Sequence, residues 1–176
     1  MGKGAAIASP SPWVVRFAPL VAAGGAVLDL ACGGGRHSRL FLDRGHPVTA
    51  VDRDAAQAVL AEGAERIAAD LEDGSGWPLP GRVFAAIVVT NYLWRPLFPS
   101  IRAALAPGGV LLYETFAHGN AAYGRPRTPD FLLQPGELPR LCGGLTVVAF
   151  EDGDTGGAVI QRICAVNGPG PFPLDP

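Results

Sequence analysis

The sequence predicts a doubly wound α/β fold, in which a mostly parallel seven-stranded sheet carries helices on both faces. Three observations predict it. Short apolar runs alternate with helix-patterned segments five times along the chain. The first four runs close on polar groups, Asp29, Asp52, Asp70 and Asn91, which a parallel sheet brings to one edge. Two last runs flank a Gly/Asp-rich turn, so the sheet ends in a hairpin with an antiparallel last strand.

Each element follows from its own residues. Ser11 and Pro12 open a helix over 11–22, with Val14, Phe17 and Val21 near helical spacing. The glycine-bounded run 26–31 reads as a buried strand, and 36–45 as a helix closed by Gly45. The β-branched run 47–52 is the second strand. Asp54 in the N-cap position and Gly63 past the end predict a helix over 54–63, followed by a strand at 65–70. Residues 72–81 are loop, and 83–93 has the long apolar run of a central strand. A helix over 96–105 tolerates Pro99 in its first turn, and 110–116 is a further buried strand. Residues 117–135 form a long irregular, lid-like loop, of the kind that is functional or mobile in a compact domain. A brief helix near 136–143, strands at 145–152 and 158–167, and a frayed tail over 169–176 complete one domain spanning 1–168.

The bulk composition narrows the function. At 176 residues, with 48% hydrophobic and 17% charged, the chain can bury its own core and is not a disordered segment. A net charge of −2 gives no electrostatic footprint for nucleic acid. Cys32, Cys142 and Cys164 are far apart and lack metal or disulfide spacing, so they read as free thiols, with no metal expected. The single lysine, Lys3, and the prolines at 10 and 12 make a poor signal peptide, and the expected location is cytoplasmic. No membrane span is expected.

The tract "LDLACGGGRHSRL" frames the chemistry. Three glycines, Gly33, Gly34 and Gly35, follow a strand and precede a helix N-terminus, where backbone N–H groups are free. A bend this bare suits a ligand lying too close for a Cβ, at the strand ends where open α/β sheets bind ligands. A pyrophosphate cofactor can use the same geometry, so a nicotinamide-dependent oxidoreductase is one alternative. Asp29 argues against it, because a carboxylate facing that pocket repels phosphate and attracts a cation. S-adenosylmethionine carries an ammonium and a sulfonium and no phosphate. Asp52 can accept two ribose hydroxyls, and Asp70 an adenine amino group.

Together "VLDLACGGGRHSRLF", "VTAVDRD", "AADLED", "VVTNYLW" and "LAPGGVLLYETF" resemble the ordered motifs of class I, Rossmann-like S-adenosylmethionine-dependent methyltransferases. The likeness covers about residues 26–116 and is nearest to the small bacterial members of tellurite-resistance type. It implies the strand order 3-2-1-4-5-7-6 and S-adenosylmethionine as cofactor. It places the methionine moiety over Ala31, Cys32 and Gly33 to Gly35, with Asp29 facing the ammonium. It assigns the ribose to Asp52, with Arg53 beside the adenine ring, and the adenine to Asp70 and the backbone of Leu71. Asn91, Tyr92 and Leu93 would line the floor near the methyl group. Cys32 stands where members of this family usually have a first glycine.

The acceptor side is less determined. His118 is the best-placed general base, and Glu114, inside a buried strand, either pairs with a structural arginine or faces the acceptor. Trp94 and Arg95 follow the fourth strand toward that side. Arg125 and Arg127 are either solvated loop charges or a pair of guanidiniums offered to an anionic acceptor. Trp13 packs over the cofactor or in the core, while His37 and His46 read as structural. The expected activity is in-line methyl transfer to a small-molecule acceptor. A non-catalytic cofactor-binding module and an RNA methyltransferase are the remaining alternatives.

Overall fold

A computed structural model describes residues 9–176; Lys3 lies outside them. Seven strands form one sheet: β1 (Val27–Leu30), β2 (Val48–Asp52), β3 (Glu65–Ala68), β4 (Phe84–Thr90), β5 (Leu105–Phe116), β6 (Thr146–Asp154) and β7 (Val159–Val166). Their order is β3-β2-β1-β4-β5-β7-β6, as the resemblance implied. β7 is antiparallel to both β5 and β6, and the other pairings are parallel. The α-helices are α1 (Pro12–Phe17), α2 (Arg36–Asp43), α3 (Phe98–Ala103) and α4 (Glu137–Leu141).

Alternation along β4 and β5 divides the core into two layers. Ala86, Val88, Val110 and Leu112 face Trp13, Val14 and Phe17 of α1 and Phe41 of α2. Ile87, Val89, Leu111 and Tyr113 face Phe98 and Ile101 of α3 and Leu138 of α4. Phe17, Phe41, Phe98 and Ile101 are each at most 1–2% exposed. Burial on that scale contributes about 1.5–3 kcal/mol per large side chain and fixes which face of each strand points where.

Several elements differ from expectation, each for a local reason. The N-terminal helix stops at Phe17 and tightens into a 3-10 turn over Ala18–Leu20, because Pro19 removes a backbone donor. The helix expected over 54–63 is two 3-10 turns, Ala55–Gln57 and Val59–Ala61. Asp54 does not cap it; its carboxylate instead accepts from Gln57 Nε2 at 2.6 Å. Tertiary contact overrides alanine's helix propensity here, since Leu60 N–H bonds to Gly34 O at 3.1 Å, and Ala58 and Ala61 bury against Cys32 and Ala50. The helix expected over 96–105 begins with a 3-10 turn over Arg95–Leu97 and ends at Ala103.

The loop over 117–135 is pinned at several points. Ala117 pairs with Leu133, and His118 N–H donates to Leu133 O at 2.8 Å. Asn120, 2% exposed, accepts from Val159 N–H and donates to Pro126 O. Tyr123 Oη donates to the Asp154 carboxylate, and Gln161 Nε2 donates to Gln134 O. The tail also contacts the first helix: Arg16 donates to Leu174 O at 2.8 Å and pairs with Asp175.

Candidate functional site

The tips of β1, β2 and β4 and the segment after β3 meet around one open cleft of about 290 Å³. Ala31, Asp52, Arg53, Ala69, Asp70, Leu71, Glu72 and Tyr92 line it. Two neighbouring tips turn through left-handed backbone, Ala31 (φ 55°) and Asn91 (φ 55°). That conformation strains any residue with a Cβ, and Asn tolerates it best.

The glycine tract divides its labour. A Cβ on Gly33 or Gly34 would meet nothing within 4 Å, so these two leave an open cradle. Gly35 is different: it has φ 82°, and a Cβ there would stand 2.8 Å from Ala61 N. The close approach at Gly35 is therefore made by the protein's own backbone, not by a ligand. Cys32 N–H donates to Val51 O at 3.0 Å, fixing the start of the bend, and burial pushes its thiol up to about 12. It fills the first glycine position as an inert small hydrophobe.

The acids occupy distinct layers. Asp29 sits inside β1, not at its end, and is 2% exposed. Its Oδ2 accepts from Ser38 N–H at 2.8 Å and from Ser38 Oγ at 2.6 Å, tying β1 to α2. Burial raises its carboxyl to about 7, against the lowering effect of those two bonds. Asp29 is thus absent from the cleft wall, whereas Asp52 forms part of it. Asp52 Oδ2 accepts from Gly33 N–H at 2.9 Å and Oδ1 from Asp54 N–H at 3.0 Å. Asp70 lies two residues beyond β3, and its Oδ1 accepts from Glu72 N–H at 3.0 Å.

Ala69 and Glu72 are cleft residues that sequence reasoning missed; only their position beside Asp70 pointed to them. Tyr92 also faces the cleft, with its buried Oη left without a formed hydrogen bond. Burial, and then the nearby Glu72 carboxylate, push its phenol upward. Leu93 does not line the site; it is 3% exposed in the α3-side core.

The acceptor-side candidates separate. Arg95 is a structural clasp: Nε and Nη2 grip Glu137 at 2.6 and 3.0 Å, while Nη1 and Nη2 donate to Asp130 O and Leu132 O. Trp94, half-buried, packs on the core below it. Glu114 faces Arg162 across the β5–β7 ladder at 3.5 Å, which resolves its two readings toward the structural arginine. His118 is exposed at the tip of β5. Arg125 and Arg127 are exposed and line a hollow with Pro126 and Thr128 that shares no lining residue with the cleft. Trp13 is a core residue at 2% exposure, with Arg162 5.0 Å above its ring.

Strand order, an open bend between β1 and α2, and acids at or just past the tips of β2 and β3 define a domain of the Rossmann-like class. Residues 27–109 match the family model of a methyltransferase domain. That stretch, rather less than half of the chain, is thus similar to a methyltransferase domain. It is 33% identical over 99 residues to the trans-aconitate 2-methyltransferase of Variovorax paradoxus (strain S110), a match covering 50% of this chain and 37% of that one. Its fold is similar to that of TehB from Haemophilus influenzae, with a TM-score of 0.70 at 17% identity over 87% of this chain and 60% of the other. The glycopeptide N-methyltransferase MtfA, solved with S-adenosylhomocysteine, gives a TM-score of 0.63 at 22% identity over 90% of each chain. The chain spans well under half the length of its curated relative. Among the described residues, no helix is long and apolar enough to cross a membrane.

The residues present fit the family's cofactor. The open cradle at Gly33 and Gly34 leaves room for a chain lying on the backbone, and Asp52 supplies a carboxylate where paired hydroxyls would meet it. Asp70, Leu71 and Tyr92 line the same cleft.

Proposed function

We propose that this chain transfers a methyl group from S-adenosylmethionine to a small-molecule acceptor. One observation carries the reading: Asp52, on the cleft wall, is joined to the open Gly33–Gly34 bend by a 2.9 Å hydrogen bond. That carboxylate suits the paired hydroxyls of a ribose, and the match of residues 27–109 to a methyltransferase domain favours S-adenosylmethionine over a dinucleotide. When bound, the cofactor supplies an activated methyl carbon. The protein's part is then alignment and exclusion of water.

Within this reading Asp52 holds the ribose, Asp70 and the Leu71 backbone hold the adenine, and Arg53 stacks beside it. Gly33 and Gly34 accommodate the methionine end, and Asn91 stands at the floor next to it. The exposed Arg125 and Arg127 suit an acceptor that is already anionic, such as a carboxylate. The name of the trans-aconitate relative agrees with that chemistry. Such an acceptor needs no general base; a neutral one would call on His118, and Glu114 is already engaged with Arg162.

Calorimetric titration with S-adenosylhomocysteine tests the cofactor. Incubation with S-adenosylmethionine and a panel of small carboxylic acids, followed by mass spectrometry, tests the reaction. Binding together with acid-dependent formation of S-adenosylhomocysteine is the expected outcome. Tight NAD binding without affinity for S-adenosylhomocysteine overturns it.

A further inference from the structure

His37 stands on the first turn of α2, two residues past Gly35, and is 2% exposed. Its Nε2 accepts from Ser11 N–H at 3.0 Å, and its Nδ1 lies 3.4 Å from Thr90 Oγ1. With Nε2 as acceptor, the ring's single proton is on Nδ1, where Thr90 receives it. One residue earlier, Arg36 Nη1 donates to Ser9 O at 3.2 Å. Ser11 is held from its other side as well, because its Oγ accepts from Trp13 N–H and Trp13 is anchored in the core.

These contacts locate the segment. Gly35 is the residue that opens α2, and Thr90 is the last residue of β4, immediately before Asn91. A ring on the first turn of α2 that touches both Ser11 and Thr90 brings residues 9–11 up to the gap between the glycine bend and the tip of β4. With the base near Asp70, that gap is where the other end of the nucleoside reaches.

We propose that Ser9–Ser11 forms a roof over the methionine end of the cleft and that His37 is the positioning residue that latches it. The proposal rests on the cleft being an S-adenosylmethionine site. A purely apolar residue could fill the same volume, but it would leave the Ser11 N–H without an acceptor in a buried setting. Burial lowers the imidazole to about 4, which keeps the Nε2 lone pair available across the neutral range. Cofactor exchange then requires the latch to open.

The test compares wild type with His37→Leu and His37→Gln, the second restoring an acceptor oxygen near the Nε2 position. Two quantities are read: hydrogen exchange at the Ser11 amide, and S-adenosylhomocysteine dissociation by stopped-flow fluorescence. His37→Leu is expected to speed both at least tenfold, with most of the loss recovered in His37→Gln. Faster Ser11 exchange with unchanged dissociation removes the roof, and no change in either removes the latch. A wild-type protein that binds no S-adenosylhomocysteine overturns the cofactor reading and the roof with it, while Ser11 exchange still reports separately on the latch. If His37→Leu fails to fold, Thr90→Val takes its place. It frees the ring's other nitrogen and should shift both rates in the same direction by about threefold; unchanged rates overturn the proposal.

Discussion

Asp52 Oδ2 accepts a 2.9 Å hydrogen bond from the backbone N–H of Gly33, so the tip of β2 and the glycine bend are one unit before any ligand arrives. Its other oxygen holds Asp54 N–H. Asp52→Ala loses a charge-assisted acceptor for the ligand as well as the brace on the bend. Bonds of this type contribute about 1.5–3 kcal/mol, so affinity for S-adenosylhomocysteine should fall about ten- to a hundredfold by calorimetry. Unchanged affinity would mean that the ribose lies elsewhere.

Gly34 and Gly35 should respond oppositely to alanine. Gly35→Ala forces a Cβ to 2.8 Å from Ala61 N at φ 82°, and a thermal melt should register a loss of about 2 kcal/mol or more. Gly34→Ala meets no protein atom and should melt like wild type, yet bind S-adenosylhomocysteine more weakly. Equal stability losses in the two variants would contradict the division of roles.

Asp29 and His37 make opposed pH dependences. The Asp29 carboxyl is raised from 3.8 to about 7, so the native state keeps a proton the unfolded chain has released, and stability falls as pH rises through that window. His37 is lowered from 6.5 to about 4, so the unfolded chain takes a proton first, and stability falls as pH drops through that window. The two windows overlap and the slopes oppose. Relative to wild type, Asp29→Asn should lose stability more steeply on acidification between pH 6.5 and 4.5. His37→Gln should instead gain on acidification. Melting curves at three pH values decide it, and a shared sign in the two variants would refute the assignment.

The Arg95–Glu137 clasp predicts a structural effect without a direct binding effect. Arg95→Met removes both bonds to Glu137 and the donors to Asp130 O and Leu132 O. A loss of about 1–3 kcal/mol is expected in denaturant melts, with new proteolytic cleavage between 124 and 134. Affinity for S-adenosylhomocysteine should stay within about twofold of wild type. A tenfold loss of that affinity would return Arg95 to the site.

Legibility in the sequence followed the physics of each element. The apolar runs around Val51, Val88 and Leu112 had only one buried home, so the sheet could be read directly, while its strand order came from the resemblance. Asp52 and Asp70 were visible because strand ends put polar groups at a common edge. Arg95 and Leu93 were misplaced because chain position near a site says nothing of where a side chain points. Ala58 and Ala61 looked helical by propensity, and their contacts with the glycine bend, Cys32 and Ala50 explain why they are not. The partnership of His37 with Ser11 spans 26 residues, and no local pattern encodes such a bond.

On the proposed reading, in which the loop from Ala117 to Leu133 borders the acceptor side, its fastening at base, shoulder and far end means that an incoming molecule finds that wall already shaped. Little ordering entropy then remains to be lost on capture. Selectivity on that side becomes a question of complementary outline, and a compound that does not match gains no help from the protein rearranging around it.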